Sequence, residues 1–303
     1  MKKQSLRYRY NVLGVALIGF LCTRTYTQLL FKNLGLDKNF NIWLILCMVS
    51  LVLSCAVPVV IIEKMCDFRP FLFRKVKTAT SAAMVAYGML FITGFSVINQ
   101  ILFTLLEKIG VVFPPENLLP INGNLNFILY FIFVAILPAF CEEIFMRGYV
   151  LNMFSDYGSM FAIILSAIFF TFMHTNVQSF LPIFVAAVLL GCISLKTGSL
   201  RTCIALHFVN NAYSFLMMYF TRSIGGVTTL AFAAFVNVLI LCCGLGGRVY
   251  LHKNGIFLSK MLQNNSRYNH KILTFFKSPV ALVAAFACVF GIVEQLYLIF
   301  GAK

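Results

Sequence analysis

The chain has 303 residues, 61% of them hydrophobic and only 11% charged, and its mean hydropathy is +0.92. A soluble domain carries about 25% charged residues, so this composition cannot clothe a water-facing surface. The net charge of +15 sits mostly in short segments between apolar runs; that is the footprint of the positive-inside rule and of anionic headgroups, and we expect no nucleic-acid partner.

Runs long enough to cross a bilayer lie near 11–31, 41–62, 79–106, 125–147, 159–175, 177–195, 200–220, 227–247 and 279–300. The fifth and sixth are short and nearly adjoining. The first apolar run outlasts a signal h-region and lacks a small-residue cleavage site, so it reads as a span. The expected fold is all-α, a polytopic transmembrane helix bundle of about eight or nine spans. Three regions are expected: helices 1–3 over 1–124, a core over 125–220, and C-terminal helices over 221–303 with a basic segment near 248–278.

Charge then orients the bundle. Lys2, Lys3, Arg7 and Arg9 precede the first span; Lys64, Arg69, Arg74, Lys75 and Lys77 follow the second; Arg248, Lys253, Lys260, Arg267, Lys271 and Lys277 follow the eighth. The intervening segments are poorer: Lys32, Asp37 and Lys38; Glu107, Lys108 and Glu116; Arg222 alone. Nine spans place every rich segment on one side, which predicts a cytoplasmic N-terminus in a multi-pass cell-membrane protein. The ten cysteines are scattered without a CxxC pair and read as small core hydrophobes.

Of nine acidic residues, only Glu142, Glu143 and Glu294 fall within spans. Each charge at a helix centre costs on the order of 3 kcal/mol on insertion scales, so adjacent acids need a reason. Arg147 lies one turn beyond Glu143, with the acid N-terminal to the base, which is the favourable order for a pair. That pair alone reads equally well as an interfacial helix end. Glu142 is turned about 100° away and is left free. Glu294 is expected to hydrogen-bond between helices or to face a cavity.

Two of the four histidines, His252 and His270, fall in the basic segment, whereas His174 and His207 fall at or within apolar helices. Asn211 lies one turn past His207 on the same face. A lone intramembrane His is commonly an interhelical polar contact. Two of them, with a spare carboxylate, on three helices suggest chemistry. A carboxylate in an apolar cavity can act as a general base toward water, and imidazole and carboxamide groups can donate to a developing oxyanion. Glu142, His174 and His207 also have zinc-ligand atom types, but not the HExxH spacing.

The motifs Glu142-Glu143-x-x-x-Arg147, Phe170-x-x-x-His174 and His207-x-x-x-Asn211, with the run Gly191-Cys192-Ile193-Ser194-Leu195-Lys196-Thr197-Gly198-Ser199-Leu200, resemble those of the CPBP intramembrane proteases. That group includes type II CAAX prenyl endopeptidases and bacteriocin-processing or self-immunity proteins. The resemblance covers roughly 130–215. It implies an endopeptidase acting on a membrane-associated or lipidated peptide, with its cavity open to the cytoplasm. It implies Glu142 as water-activating base, Glu143 and Arg147 as a supporting pair, His174 as water-orienting or metal-binding, and His207 with Asn211 as the oxyanion hole. The cofactor is left open between a divalent metal such as zinc, held by Glu142, His174 and His207, and none. Two other classes compete: a catalytically silent scaffold or self-immunity protein, and a proton-coupled transporter. Against the transporter stand the lack of an inverted repeat and of paired broken helices.

By helix rise, His174 lies about 24 Å from the start of its helix and His207 about 12 Å from the start of its own. For both to meet Glu142, the fifth helix is expected to be strongly tilted or to project beyond the membrane.

Overall fold

The computed structural model describes residues 4–68, 70, 73–111, 113, 121, 123–223, 226–263 and 270–300. Lys2, Lys3, Arg69, Glu116 and Arg267 of the charge argument lie outside the described residues. Among the described residues, nine long helices account for all nine apolar runs: α1 (Leu6–Asn33), α2 (Phe40–Met65), α3 (Thr78–Lys108), α4 (Asn124–Ser155), α5 (Ser159–Met173), α6 (Phe180–Thr197), α7 (Arg201–Ser223), α8 (Gly226–Lys253) and α9 (Pro279–Phe300). The described residues form no strand, only an isolated bridge between Phe73 and Ser199. The chain is a multi-pass membrane protein built as an all-α bundle.

Six of these helices (α1, α2, α3, α4, α6 and α8) are long and apolar enough to cross a membrane by themselves. The other three depart for different reasons. α5 has only 15 residues, whereas α9 continues as a helix from Pro279 to Phe300 with Glu294 inside its apolar run. α7 is long but polar, carrying Arg201, His207, Asn210 and Asn211. A helix enclosed by others need not be apolar all round.

One buried hydrophobic cluster runs from Leu6 in α1 to Ala284 in α9, so the interior is shared by the whole chain. α4 lies in the middle, packed by α2, α5, α6 and α7. It is not a uniform helix: two π-helical stretches, Ile132–Ile136 and Ile144–Leu151, flank the segment that carries the acids. Pro138 begins that segment; its ring crowds the carbonyl one turn back, and it has no N–H to offer that carbonyl. Wide turns of this kind cluster where a helix must aim side chains.

The basic segments gather at one end of the bundle. Gln4 Nε2 donates to Met65 O, Tyr157 Oη to Gln4 O, and Tyr10 Oη to Lys271 O. At this end Ser199 donates through Oγ to Arg74 O at 2.7 Å and accepts at the same atom from Arg201 N at 3.3 Å, which starts α7. Gly198, at φ +62°, makes the left-handed turn that ends α6 just before it. The Thr-Gly-Ser-Leu run is therefore a helix stop fused to a helix start.

Both histidines approach Glu142, at 3.7 and 3.9 Å. α7 starts at the basic end, where Ser199 and Leu200 are covered by the segment that carries Arg74. Glu294 departs from expectation. It is exposed on α9 and is not among the residues that line the cavity.

Candidate active site

Glu143 is fully buried and its Oε1 takes two partners. Arg147 donates from Nη1 at 2.8 Å, and the Nδ1 of His207 stands at 2.8 Å. Arg147, 1% exposed, also donates from Nη2 to Ala187 O of α6 at 3.3 Å, and its guanidinium stacks 4.3 Å over the Phe170 ring. One carboxylate thereby ties α4 to α7, and its partner cation ties α4 to α5 and α6.

Glu142, one residue earlier, turns into a cavity of about 630 Å³ walled by α1 to α7. Its Oε2 has no hydrogen-bond partner and lies 3.7 Å from His174 Nε2 and 3.9 Å from His207 Nε2. Both distances exceed a direct hydrogen bond. Each imidazole is fixed from behind. His174 Nδ1 lies 2.7 Å from Phe170 O, an oxygen that can only accept, so Nδ1 carries the hydrogen. His207 Nδ1 is held by Glu143. Both Nε2 atoms therefore face the Glu142 carboxylate. Phe170 supports the set three times: through its carbonyl, through contact with Arg147, and by packing 4.6 Å from the His174 ring and 6.1 Å from the His207 ring.

His174 itself follows the last turn of α5, and Thr175 after it adopts φ +45°, a left-handed backbone that a β-branched residue rarely takes. Gly291 of α9 lies against it: a Cβ at that glycine would stand 2.7 Å from Thr175 Cγ2. The strained turn is held by a helix that lines no part of the cavity.

Asn211 also reaches the cavity, with one hydrogen of its amide already engaged. Nδ2 donates to Val134 O at 3.1 Å, and Oδ1 accepts from Asn210 Nδ2 at 3.3 Å. Val134 is one turn before Pro138, so its carbonyl has lost the helical donor it would otherwise have. The amide of α7 repairs the defect that proline makes in α4. Nδ2 keeps a second hydrogen.

All six residues singled out in the sequence (Glu142, Glu143, Arg147, His174, His207 and Asn211) thus meet at one place. Sequence reasoning missed Asn210, the orienting neighbour of Asn211, and Arg24, which stands on the cavity wall from α1. An arginine within the first apolar run was the available signal for the second.

The zinc reading meets a geometric obstacle. Among the described residues, no group of three His, Cys, Asp or Glu is arranged to hold a metal ion. Glu142 Oε2 stands 3.7 and 3.9 Å from the two Nε2 atoms, wider than the edge of about 3.3 Å implied by zinc–ligand bonds near 2.0–2.1 Å.

Residues 124–213, which carry every member of the cluster, match the family described as type II CAAX prenyl endopeptidase Rce1-like. No curated protein and no solved structure matches the chain.

Proposed function

With residues 124–213 matching the type II CAAX prenyl endopeptidase Rce1-like family, we propose that the chain hydrolyses a peptide bond of a membrane-associated substrate using Glu142 as the base. The observation that carries this reading is the unpartnered Glu142 Oε2 facing two imidazole nitrogens in a cavity within the bundle. A polar contact across 3.7–3.9 Å suits a bridging oxygen rather than direct contact. In the reaction, Glu142 takes a proton from a water held by His174. The water oxygen bonds to the scissile carbonyl carbon, and the carbonyl π electrons move onto oxygen. His207, protonated at Nε2, and the second Nδ2 hydrogen of Asn211 donate to that oxyanion. The tetrahedral species collapses, the C–N bond breaks, and the proton on Glu142 passes to the leaving amine.

Glu143 keeps the hydrogen of His207 on Nδ1 and offsets the charge gained at Nε2, while Arg147 holds Glu143 in place. The apolar walls and the family match support a substrate held in the membrane, which we take to be a lipidated or bacteriocin-type peptide. The basic end of the bundle is the cytoplasmic one in this reading; the cavity lining, which includes Gln28 of α1, Ser96 of α3, Tyr130 of α4 and Met218 of α7, lies in the half of the bundle away from that end, which does not match the expected cytoplasmic opening. Mass-spectrometric comparison of membrane peptides made with the wild type and with Glu142→Gln tests the assignment. The variant is expected to accumulate the uncut substrate while remaining folded and inserted; processing at the wild-type rate would refute the role of Glu142.

A further inference from the structure

The cavity has a second charged wall, outside the segment that matches the family. Arg24 of α1 lines it, with Phe20 one turn before and Gln28 one turn after on the same face. The register of α1 against α4 sets its depth. Arg9 donates to Met153 O near one end, and Phe20 stacks on Phe145 with ring centroids 6.0 Å apart. The helices run antiparallel, so Arg24, one turn beyond Phe20, stands at the level of Cys141 and Glu142.

A guanidinium at that depth is costly and calls for a counter-charge. Arg9 and Arg147, the buried arginines of the bundle, have theirs in Asp156 and Glu143. Arg24 is exposed to the cavity, and its guanidinium has no hydrogen-bond or ion-pair partner among the described residues. An anion is therefore expected to arrive with the ligand, and Gln28 supplies a further amide donor beside it.

We propose that Arg24, with Gln28, anchors the free C-terminal carboxylate of the peptide substrate and thereby sets how far from the chain end Glu142 cuts. This rests on the endopeptidase reading above. A terminus fits better than an internal acidic side chain. A cavity of about 630 Å³ is the size of a small-ligand pocket and takes a short terminal segment of a few residues. A planar guanidinium matches a carboxylate with two parallel hydrogen bonds. Arg24 is a specificity residue in this account, and it takes no part in moving protons.

The test uses full-length protein in phosphatidylcholine nanodiscs, which removes anionic lipid as a competitor. The probes are dansylated peptides with an S-farnesyl cysteine and three apolar residues after it, made as the free acid and as the C-terminal amide. Binding is read by fluorescence anisotropy on Glu142→Gln protein, so that no cleavage is needed. The acid is expected to bind about tenfold more tightly than the amide. That ratio should fall to about one in Glu142→Gln/Arg24→Gln and be partly kept in Glu142→Gln/Arg24→Lys, with unchanged binding of the amide showing that both remain folded. Equal binding of acid and amide to the first protein, retention of the ratio without Arg24, or binding of neither probe would each overturn the anchor. An acid preference restored to the Arg24→Gln protein by anionic lipid would do the same, by showing a headgroup site instead. Cleavage by protein with Glu142 intact is scored separately. Its absence, with the acid preference present, would refute the endopeptidase reading and leave the anchor standing.

Discussion

Glu142 and Glu143 are identical side chains on successive residues, and one step of about 100° around α4 separates their fates. Glu143 points into a closed contact with Arg147 and His207; Glu142 points into the cavity with an unshared oxygen. Removing one member of a buried pair leaves the other charge uncompensated, at a cost of about 3–5 kcal/mol. Arg147→Met should therefore lower the thermal midpoint of the purified protein sharply, whereas Glu142→Gln, which faces the cavity, should leave it nearly unchanged. Glu143→Gln separates support from structure, because the amide keeps the shape but weakens the hold on His207. Cleavage should fall by roughly a hundredfold with the protein still folded. A Glu143→Gln variant of wild-type activity would show that His207 needs no carboxylate behind it.

At the scale of the helices, the site depends on a fault in α4 and on its repair. Pro138 leaves the Val134 carbonyl without its helical donor, and Asn211 supplies one from α7. The two changes should be coupled. Asn211→Ala alone orphans a carbonyl and should destabilise by about 1–3 kcal/mol. In a Pro138→Ala background the backbone can satisfy Val134 itself, and the same substitution should cost about 1 kcal/mol less. Strictly additive effects on thermal or denaturant stability would contradict the link. A second coupling runs from α9: Gly291→Ala would press on Thr175 and shift His174. Cleavage should drop although residue 291 lines no part of the cavity, and Thr175→Gly, which accepts the left-handed backbone and removes the opposing methyl, should restore it. The motifs and their helices were legible in the sequence because polar residues in apolar runs are conspicuous and one-turn spacings fix shared faces. The amide latch was not. A free backbone carbonyl leaves no mark on composition, and pairing α7 with α4 is a long-range contact.

Over the whole molecule, the sequence carried the bundle almost entirely, since hydropathy alone located all nine long helices. What it could not carry was which helices need their neighbours. The short α5 and the polar α7 hold the histidines because they are enclosed by the other helices, and α9 closes over the turn that positions His174. The contacts joining Gln4, Met65, Tyr157 and Lys271 place the basic segments at one end. Reporter tags at the N-terminus and at residue 260 should therefore both be cytoplasmic, and a tag at residue 35 should lie outside. Opposite labelling of the first two would break the nine-span arrangement. The central claim, that Glu142 activates water to cut a peptide bond in this cavity, is tested most directly by isotope transfer. Membranes containing the wild type, incubated in H₂¹⁸O, should release peptides with one ¹⁸O in each newly formed terminal carboxylate, and membranes containing Glu142→Gln should release none. Labelled termini appearing equally with both proteins would contradict it.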